Sequence, residues 1–192
     1  MNKRAKSNSI RIISGQWRGR RLEVLNAEGL RPTTDRVRET LFNWLMYETS
    51  GARCLDLFAG TGVLGLESLS RGAEFVDFVE KSGPSARAID RNLSVLGASS
   101  EQARVQCMDA IEFLKCSPRA PYDLVFLDPP FAMNVLQSII VGLSESGWLA
   151  PECFIYIEQD ATQSAPAVPD EWSLHREGRA GQSNYRLYSL GD

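Results

Sequence analysis

The chain carries a single histidine, His175. That scarcity excludes a catalytic histidine pair and a histidine-rich metal cluster, and His175 itself is expected to be a partly exposed strand residue. Four cysteines (Cys54, Cys107, Cys116 and Cys153) occur without any C-x-x-C pair. Their spacing does not suit zinc, so no metal is expected, and small core thiols in a reducing compartment are the reading adopted. No apolar run approaches the ~20 residues needed to cross a bilayer. The opening Met-Asn-Lys-Arg lacks the apolar stretch of a signal peptide. A cytoplasmic protein without membrane contact is therefore expected.

What is present is an ordinary globular composition. The 192 residues are 43% hydrophobic and 23% charged, enough for one α/β domain with a small appendage, and nothing in them demands more than a monomer. The net charge of −3 is unevenly placed: residues 1–38 hold ten Lys/Arg against three Asp/Glu, while the remainder holds eleven against twenty-one. An acidic average does not exclude a nucleic-acid partner when the positive charge is gathered on one segment.

Residues 1–9 are polar and basic and read as a disordered tail. Residues 10–14 and 21–25, separated by Gly15 and Gly19, suggest a hairpin. Capping residues at 33–35 precede Val37, Leu41, Trp44, Leu45 and Glu48 at helical spacing, which predicts a helix ending near Gly51. Then follow strand 53–58, helix 62–71, strand 74–80, helix 84–96, strand 104–107, helix 109–115, strand 122–127, helix 132–144, strand 153–158 and two final strands, 172–177 and 185–189. The alternation predicts an α/β fold with a mostly parallel, seven-stranded Rossmann-like sheet, ending in an antiparallel edge pair, with ligands at the carboxyl ends of the strands. The corresponding division is a tail (1–9), an N-terminal hairpin and helix (10–50) and a catalytic domain (51–192).

The first strand of that sheet runs into Asp56-Leu57-Phe58-Ala59-Gly60-Thr61-Gly62-Val63-Leu64-Gly65. Gly60 to Gly65 spells G-x-G-x-x-G, and Glu80 stands at the end of the next strand, where an acid holds a ribose diol. These two features alone favour a nicotinamide dinucleotide. Asp56 argues otherwise, because a carboxylate in the turn repels a pyrophosphate. With Glu80 and Asp109 it would make an acidic rim suited to the cationic S-adenosylmethionine.

The fourth strand exits into Asp128-Pro129-Pro130-Phe131. Two prolines cannot continue a sheet, so the tetrapeptide is a rigid turn. The Asp128 carboxylate and the Pro129 carbonyl can accept the hydrogens of one exocyclic amine, and Phe131 can stack on its base. Such a grip localises a lone pair otherwise conjugated into the ring and aims it at a methyl group, with positioning supplying much of the rate. An N6-adenine or a glutamine N-methyltransferase could use the same grip.

At this point the residues resemble a known family. Arg11 to Arg20 (RIISGQWRGR), Leu30 to Leu45 (LRPTTDRVRETLFNWL), the Asp56 to Gly65 loop, Asp128 to Phe131, Ala180-Gly181-Gln182 and Tyr185 to Tyr188 are together similar to the RsmD family, the bacterial 16S rRNA guanine-966 N2-methyltransferases. The resemblance implies a class I S-adenosylmethionine-dependent methyltransferase of the cytoplasm that acts on the small ribosomal subunit or its precursor. Carried over by position, Asp56, Phe58, Ala59, Gly60, Thr61, Gly62, Glu80, Lys81, Asp109 and Ala110 would bind the cofactor. Asp128, Pro129, Pro130 and Phe131 would hold the guanine. Phe131 stands where many related N-methyltransferases have Tyr, so it keeps the stacking face without a hydroxyl.

Ahead of the catalytic domain lie Arg11, Trp17, Arg18, Arg20, Arg21, Arg31, Thr33, Arg36 and Arg38. Guanidinium groups fork phosphate oxygens and stack on bases, so this arm is expected to contact the 16S rRNA. Two other classes of reading stand beside the rRNA methyltransferase: an NAD-dependent oxidoreductase, on the glycine pattern and Glu80, and a non-catalytic RNA-binding factor that keeps the fold as a scaffold.

Overall fold

Strand 122–127 has apolar residues on both of its faces, and in the structure they separate by parity. Leu124 and Phe126 enter one core, with Cys54, Val76, Phe78, Tyr156 and Leu187. Val125 and Leu127 enter a second, with Leu55, Leu57, Val79, Ile155 and Ile157. A strand buried on both sides belongs in the middle of a parallel sheet. The computed structural model describes residues 8–24, 34–130, 135–145 and 147–191.

A small antiparallel pair, β1 (Asn8–Arg11) and β2 (Arg21–Val24), precedes helix α1 (Asp35–Trp44). The main fold then alternates: β3 (Arg53–Asp56), α2 (Val63–Ser70), β4 (Phe75–Val79), α3 (Gly83–Leu96), β5 (Ala103–Gln106), α4 (Ala110–Leu114), β6 (Tyr122–Leu127), α5 (Leu136–Glu145) and β7 (Leu149–Asp160), followed by β8 (Trp172–Ala180) and β9 (Ser183–Leu190). The seven-stranded sheet has the order β5-β4-β3-β6-β7-β9-β8. Pairings are parallel from β5 to β7 and antiparallel where β9 meets β7 and β8, which is the mostly parallel sheet with an antiparallel edge expected from the sequence.

Several boundaries differ from the sequence expectation. α1 stops at Trp44 rather than near Gly51. Beyond it the Glu48 and Thr49 N–H groups and the Thr49 hydroxyl all donate to the Leu45 carbonyl, so the ladder does not propagate, and Met46 and Tyr47 are left exposed. Gly51, at φ 78°, then turns the chain to donate to the Gly72 carbonyl. β3 ends at Asp56, two residues early, while β7 spans twelve residues because both of its neighbours continue to pair with it. Residues 132–134, expected to open a helix, lie outside the described residues. Cys54 and Cys153 are core thiols, but Cys107 and Cys116 are exposed, a correction that follows from their places just past β5 and α4.

The N-terminal segment shares the core of the sheet: Ile12, Trp17 and Leu22 pack in the same cluster as Leu41, Phe42, Leu66 and Phe126. No helix among the described residues is long and apolar enough to cross a membrane.

Candidate active site

Parallel register brings four strand exits into one row. Asp56 pairs with Phe78 of β4 and Phe126 of β6, and Val79 pairs with Gln106 of β5. Past these pairs the chain leaves the sheet at Ala59, Glu80, Asp109 and Asp128 in turn. The main chain stitches the exits together, with Leu57 N–H to Phe126 O at 3.2 Å, Ala59 N–H to Val79 O at 3.0 Å and Glu80 N–H to Gln106 O at 3.0 Å.

The glycines of the first turn have separate causes. Gly60 and Gly62 hold φ of 52° and 75°, in the region that a side chain disfavours. Gly65 is conformationally ordinary, but a Cβ there would stand 2.3 Å from the Phe78 ring, so its role is the close approach of α2 to β4.

Among the acids the structure makes one correction. Asp56 is not on a rim: it is 2% exposed, and its carboxylate accepts the Gly65 N–H at 3.1 Å beneath the start of α2. Burial pushes its pKa up to about 7; the Gly65 hydrogen bond opposes the rise and Glu80 adds to it. At neutral pH it therefore carries only part of a charge, which weakens its repulsion of a pyrophosphate. Glu80 is half-buried and holds the turn, accepting the Gly60 N–H at 2.7 Å and the Ser82 N–H at 2.6 Å. Asp109 caps α4 by accepting the Ile111 N–H at 2.9 Å and meets Lys81 Nζ at 3.0 Å. That ammonium holds the Asp109 carboxyl below the usual carboxylate range. Ala110 is buried behind it, Phe58 is partly buried against the second core, and Ala59 is buried at the turn. Thr61 is half-exposed there. The structure thus brings Phe58 to Gly62, Glu80, Lys81, Asp109 and Ala110 to one end of the sheet, with Asp56 underneath.

At the exit of β6, Asp128 is half-buried, Pro129 buried and Pro130 exposed; Phe131 lies outside the described residues. Two residues that the sequence reading missed stand beside this turn. The Tyr156 hydroxyl of β7 donates to Glu158 Oε2 at 2.8 Å, and its pKa is raised by burial, then by the charges of Glu158 and Asp128. Glu158 is 6% exposed inside β7, and the available signal was its position, an acid at the expected end of a strand as Glu80 is.

The basic arm divides into two groups. Arg11, Arg18, Arg20, Arg21 and Arg36 are exposed. Trp17 is instead a core residue, 8% exposed, and Arg38 is 1% exposed, so both are withdrawn as RNA contacts; Arg31 and Thr33 lie outside the described residues. Arg38 donates to the Arg11 carbonyl at 3.1 Å and pairs with Asp35 at 2.6 Å and Glu67 at 3.6 Å. Glu67, fully buried in α2, also accepts the Ile13 and Ser14 N–H groups at 2.9 and 3.0 Å and Arg71 Nε at 2.9 Å. Ser70 completes the seat by donating to the Ser14 carbonyl at 2.6 Å and accepting the Trp17 N–H at 3.0 Å. Glu67 and Ser70 carried no sequence signal beyond being polar residues on an apolar helix.

Comparison with known proteins agrees with this architecture. A family model described as "Conserved hypothetical protein 95" matches residues 10–189. The chain is 50% identical over 182 residues to the ribosomal RNA small subunit methyltransferase D of Escherichia coli (strain K12), covering 95% of this chain and 90% of that one. It is 49% identical over 181 residues to the protein of the same name from Haemophilus influenzae, covering 93% of each. A solved structure, the putative methyltransferase yhhF from Escherichia coli, matches with a TM-score of 0.88 at 46% identity, over 95% of this chain and 98% of that one. With a matching family model, two relatives near half identity over almost their whole length and the same fold, the chain belongs to the RsmD family of ribosomal RNA small subunit methyltransferases D.

Proposed function

We propose that the protein transfers a methyl group from S-adenosylmethionine to the exocyclic N2 of a guanine in 16S rRNA. The target is guanine-966 by family resemblance, within the small subunit or its assembly precursor, and the protein works in the cytoplasm as a monomer. The observation that carries the reading is the adjacency of β3 and β6. The hydrogen bond from Leu57 to Phe126 ties the glycine turn to the strand that ends in Asp128-Pro129-Pro130.

The residues fit the cofactor. Gly60 and Gly62 keep the turn free of side chains, and Glu80 retains lone pairs for a ribose diol after binding Gly60 and Ser82. Asp109, past the end of β5, would accept from the adenine amino group. S-adenosylmethionine supplies an electrophilic methyl group on a positively charged sulfur, and two carboxylates at the strand exits favour that charge. Asp128 and the Pro129 carbonyl accept the two hydrogens of the base amine and aim its lone pair. Methylation would make the amine acidic as the methyl group leaves sulfur, and Asp128 would receive its proton. The exposed arginines Arg11, Arg18, Arg20, Arg21 and Arg36 hold RNA phosphates.

The test is transfer of labelled methyl to small-subunit RNA, with mass mapping of the modified nucleotide. Asp128→Ala is expected to lower turnover by roughly 100- to 10,000-fold while affinity for S-adenosylhomocysteine is retained; near-normal turnover removes Asp128 from the mechanism. RNA binding without any transfer favours the scaffold reading.

A further inference from the structure

The Asp-Pro-Pro grip holds an amine without reading the rest of the base. Guanine presents N1–H, a donor, next to its N2 amine, whereas adenine presents N1 as an acceptor next to its N6 amine. A site that selects guanine needs a second acceptor beside Asp128.

The structure places one there. In the parallel pair of β6 and β7, Phe126 is in register with Tyr156, and both enter the same core. Glu158 follows Tyr156 by two residues within β7, on the same face of the sheet, and Asp128 is the first residue past the end of β6. The Tyr156 hydroxyl bonds to Glu158 and lies within electrostatic reach of Asp128. Glu158 is 6% exposed, and no ion pair among the described residues includes it. Burying a carboxylate without a cation is costly, and one hydroxyl donor uses only part of its hydrogen-bonding capacity.

We propose that Glu158 accepts the N1–H of the target guanine, oriented by Tyr156, and so selects guanine over bases that carry an unprotonated N1. The proposal rests on the base-methylation reading above.

Reconstituted small subunits carrying guanine or 2-aminopurine at the target position test it, because 2-aminopurine keeps the N2 amine and lacks the N1 hydrogen. The wild-type protein is expected to prefer guanine in kcat/KM by roughly 10- to 100-fold. Glu158→Gln is expected to lower kcat/KM on guanine by a similar factor and to leave 2-aminopurine unchanged or faster, since an amide can donate to its N1. Tyr156→Phe, which keeps the carboxylate, is expected to give an intermediate preference, and it stands in for Glu158→Gln should that variant not fold. Retained affinity for S-adenosylhomocysteine shows that the cofactor end is intact. An unchanged guanine to 2-aminopurine ratio in both variants overturns the assignment of Glu158. Absence of transfer to either base by the wild-type protein overturns the base-methylation reading instead.

Discussion

Two buried carboxylates flank helix α2 and solve the same problem differently. Glu67, on the helix, sits between Arg38 and Arg71 and takes two backbone N–H groups from the arm. Asp56, below the helix start, takes one N–H from Gly65, and its pKa rises to about 7. The first is compensated by cations and clamps a distant segment. The second, lacking such compensation, binds its proton more tightly instead. A buried acid is thus defined by its partners, and the two acids differ in what they anchor: the N-terminal arm at Glu67 and the glycine turn at Asp56.

The largest effect is expected from breaking the first anchor. Glu67→Ala leaves the Arg38 guanidinium buried without its inner partner and frees Ile13 and Ser14, so stability should fall by about 3–5 kcal/mol in urea unfolding. The arm should also become sensitive to protease; an unaltered midpoint would mean that the network contributes little. Next come the glycines at each anchor. A Cβ on Gly15 would stand 1.7 Å from the Ser70 carbonyl oxygen, whereas one on Gly62 meets the Ile89 side chain at 3.0 Å; both backbones have positive φ. Gly15→Ala is therefore expected to cost more than Gly62→Ala in thermal unfolding, about 1–3 kcal/mol against about 1 kcal/mol. Gly62→Ala should lower S-adenosylhomocysteine affinity the more of the two. The reverse order would show that the arm's seat on Ser70 yields more easily than the turn.

Smaller still is the pH effect at Asp56. Its folded pKa, about 7, lies above the ordinary 3.8. Its contribution is complete below about pH 4 and is lost as pH rises toward 7, because the unfolded chain releases the proton first. Asp56→Asn removes that loss. Between pH 6 and 8 the variant should gain on the wild-type protein by about 1 kcal/mol in parallel melts of the cofactor-free forms; parallel curves would place the raised pKa elsewhere. Least disruptive to the fold is replacement of the exposed Arg18 and Arg20 by Gln. Stability should change by less than ~0.5 kcal/mol, while the salt dependence of RNA binding should flatten by about one unit of slope per residue.

Local pattern reveals elements whose cause is local. Alternating apolar strands and amphipathic helices predict the sheet and its antiparallel edge, and Gly60, Gly62, Glu80, Asp109 and Asp128 stand at strand exits in both readings. The failures share another cause. Trp17 and Arg38 look like RNA contacts because they sit among arginines, yet their burial depends on α2, whose Glu67 lies 54 residues beyond Ile13. Tyr156 and Glu158 could not be linked to Asp128 before β7 was known to lie beside β6.

The sequence by itself determined the alternation, the glycine turn and the proline turn at Asp128-Pro129-Pro130, since strand period, positive φ and proline geometry are properties of neighbouring residues. Only the tertiary structure decided which charges face water. Solvent exposure and hydrogen-bond partnership are set by segments distant in the chain. Thus Asp56 became a buried acid with a raised pKa, Arg38 a structural ion and Glu158 a buried acceptor for the Tyr156 hydroxyl.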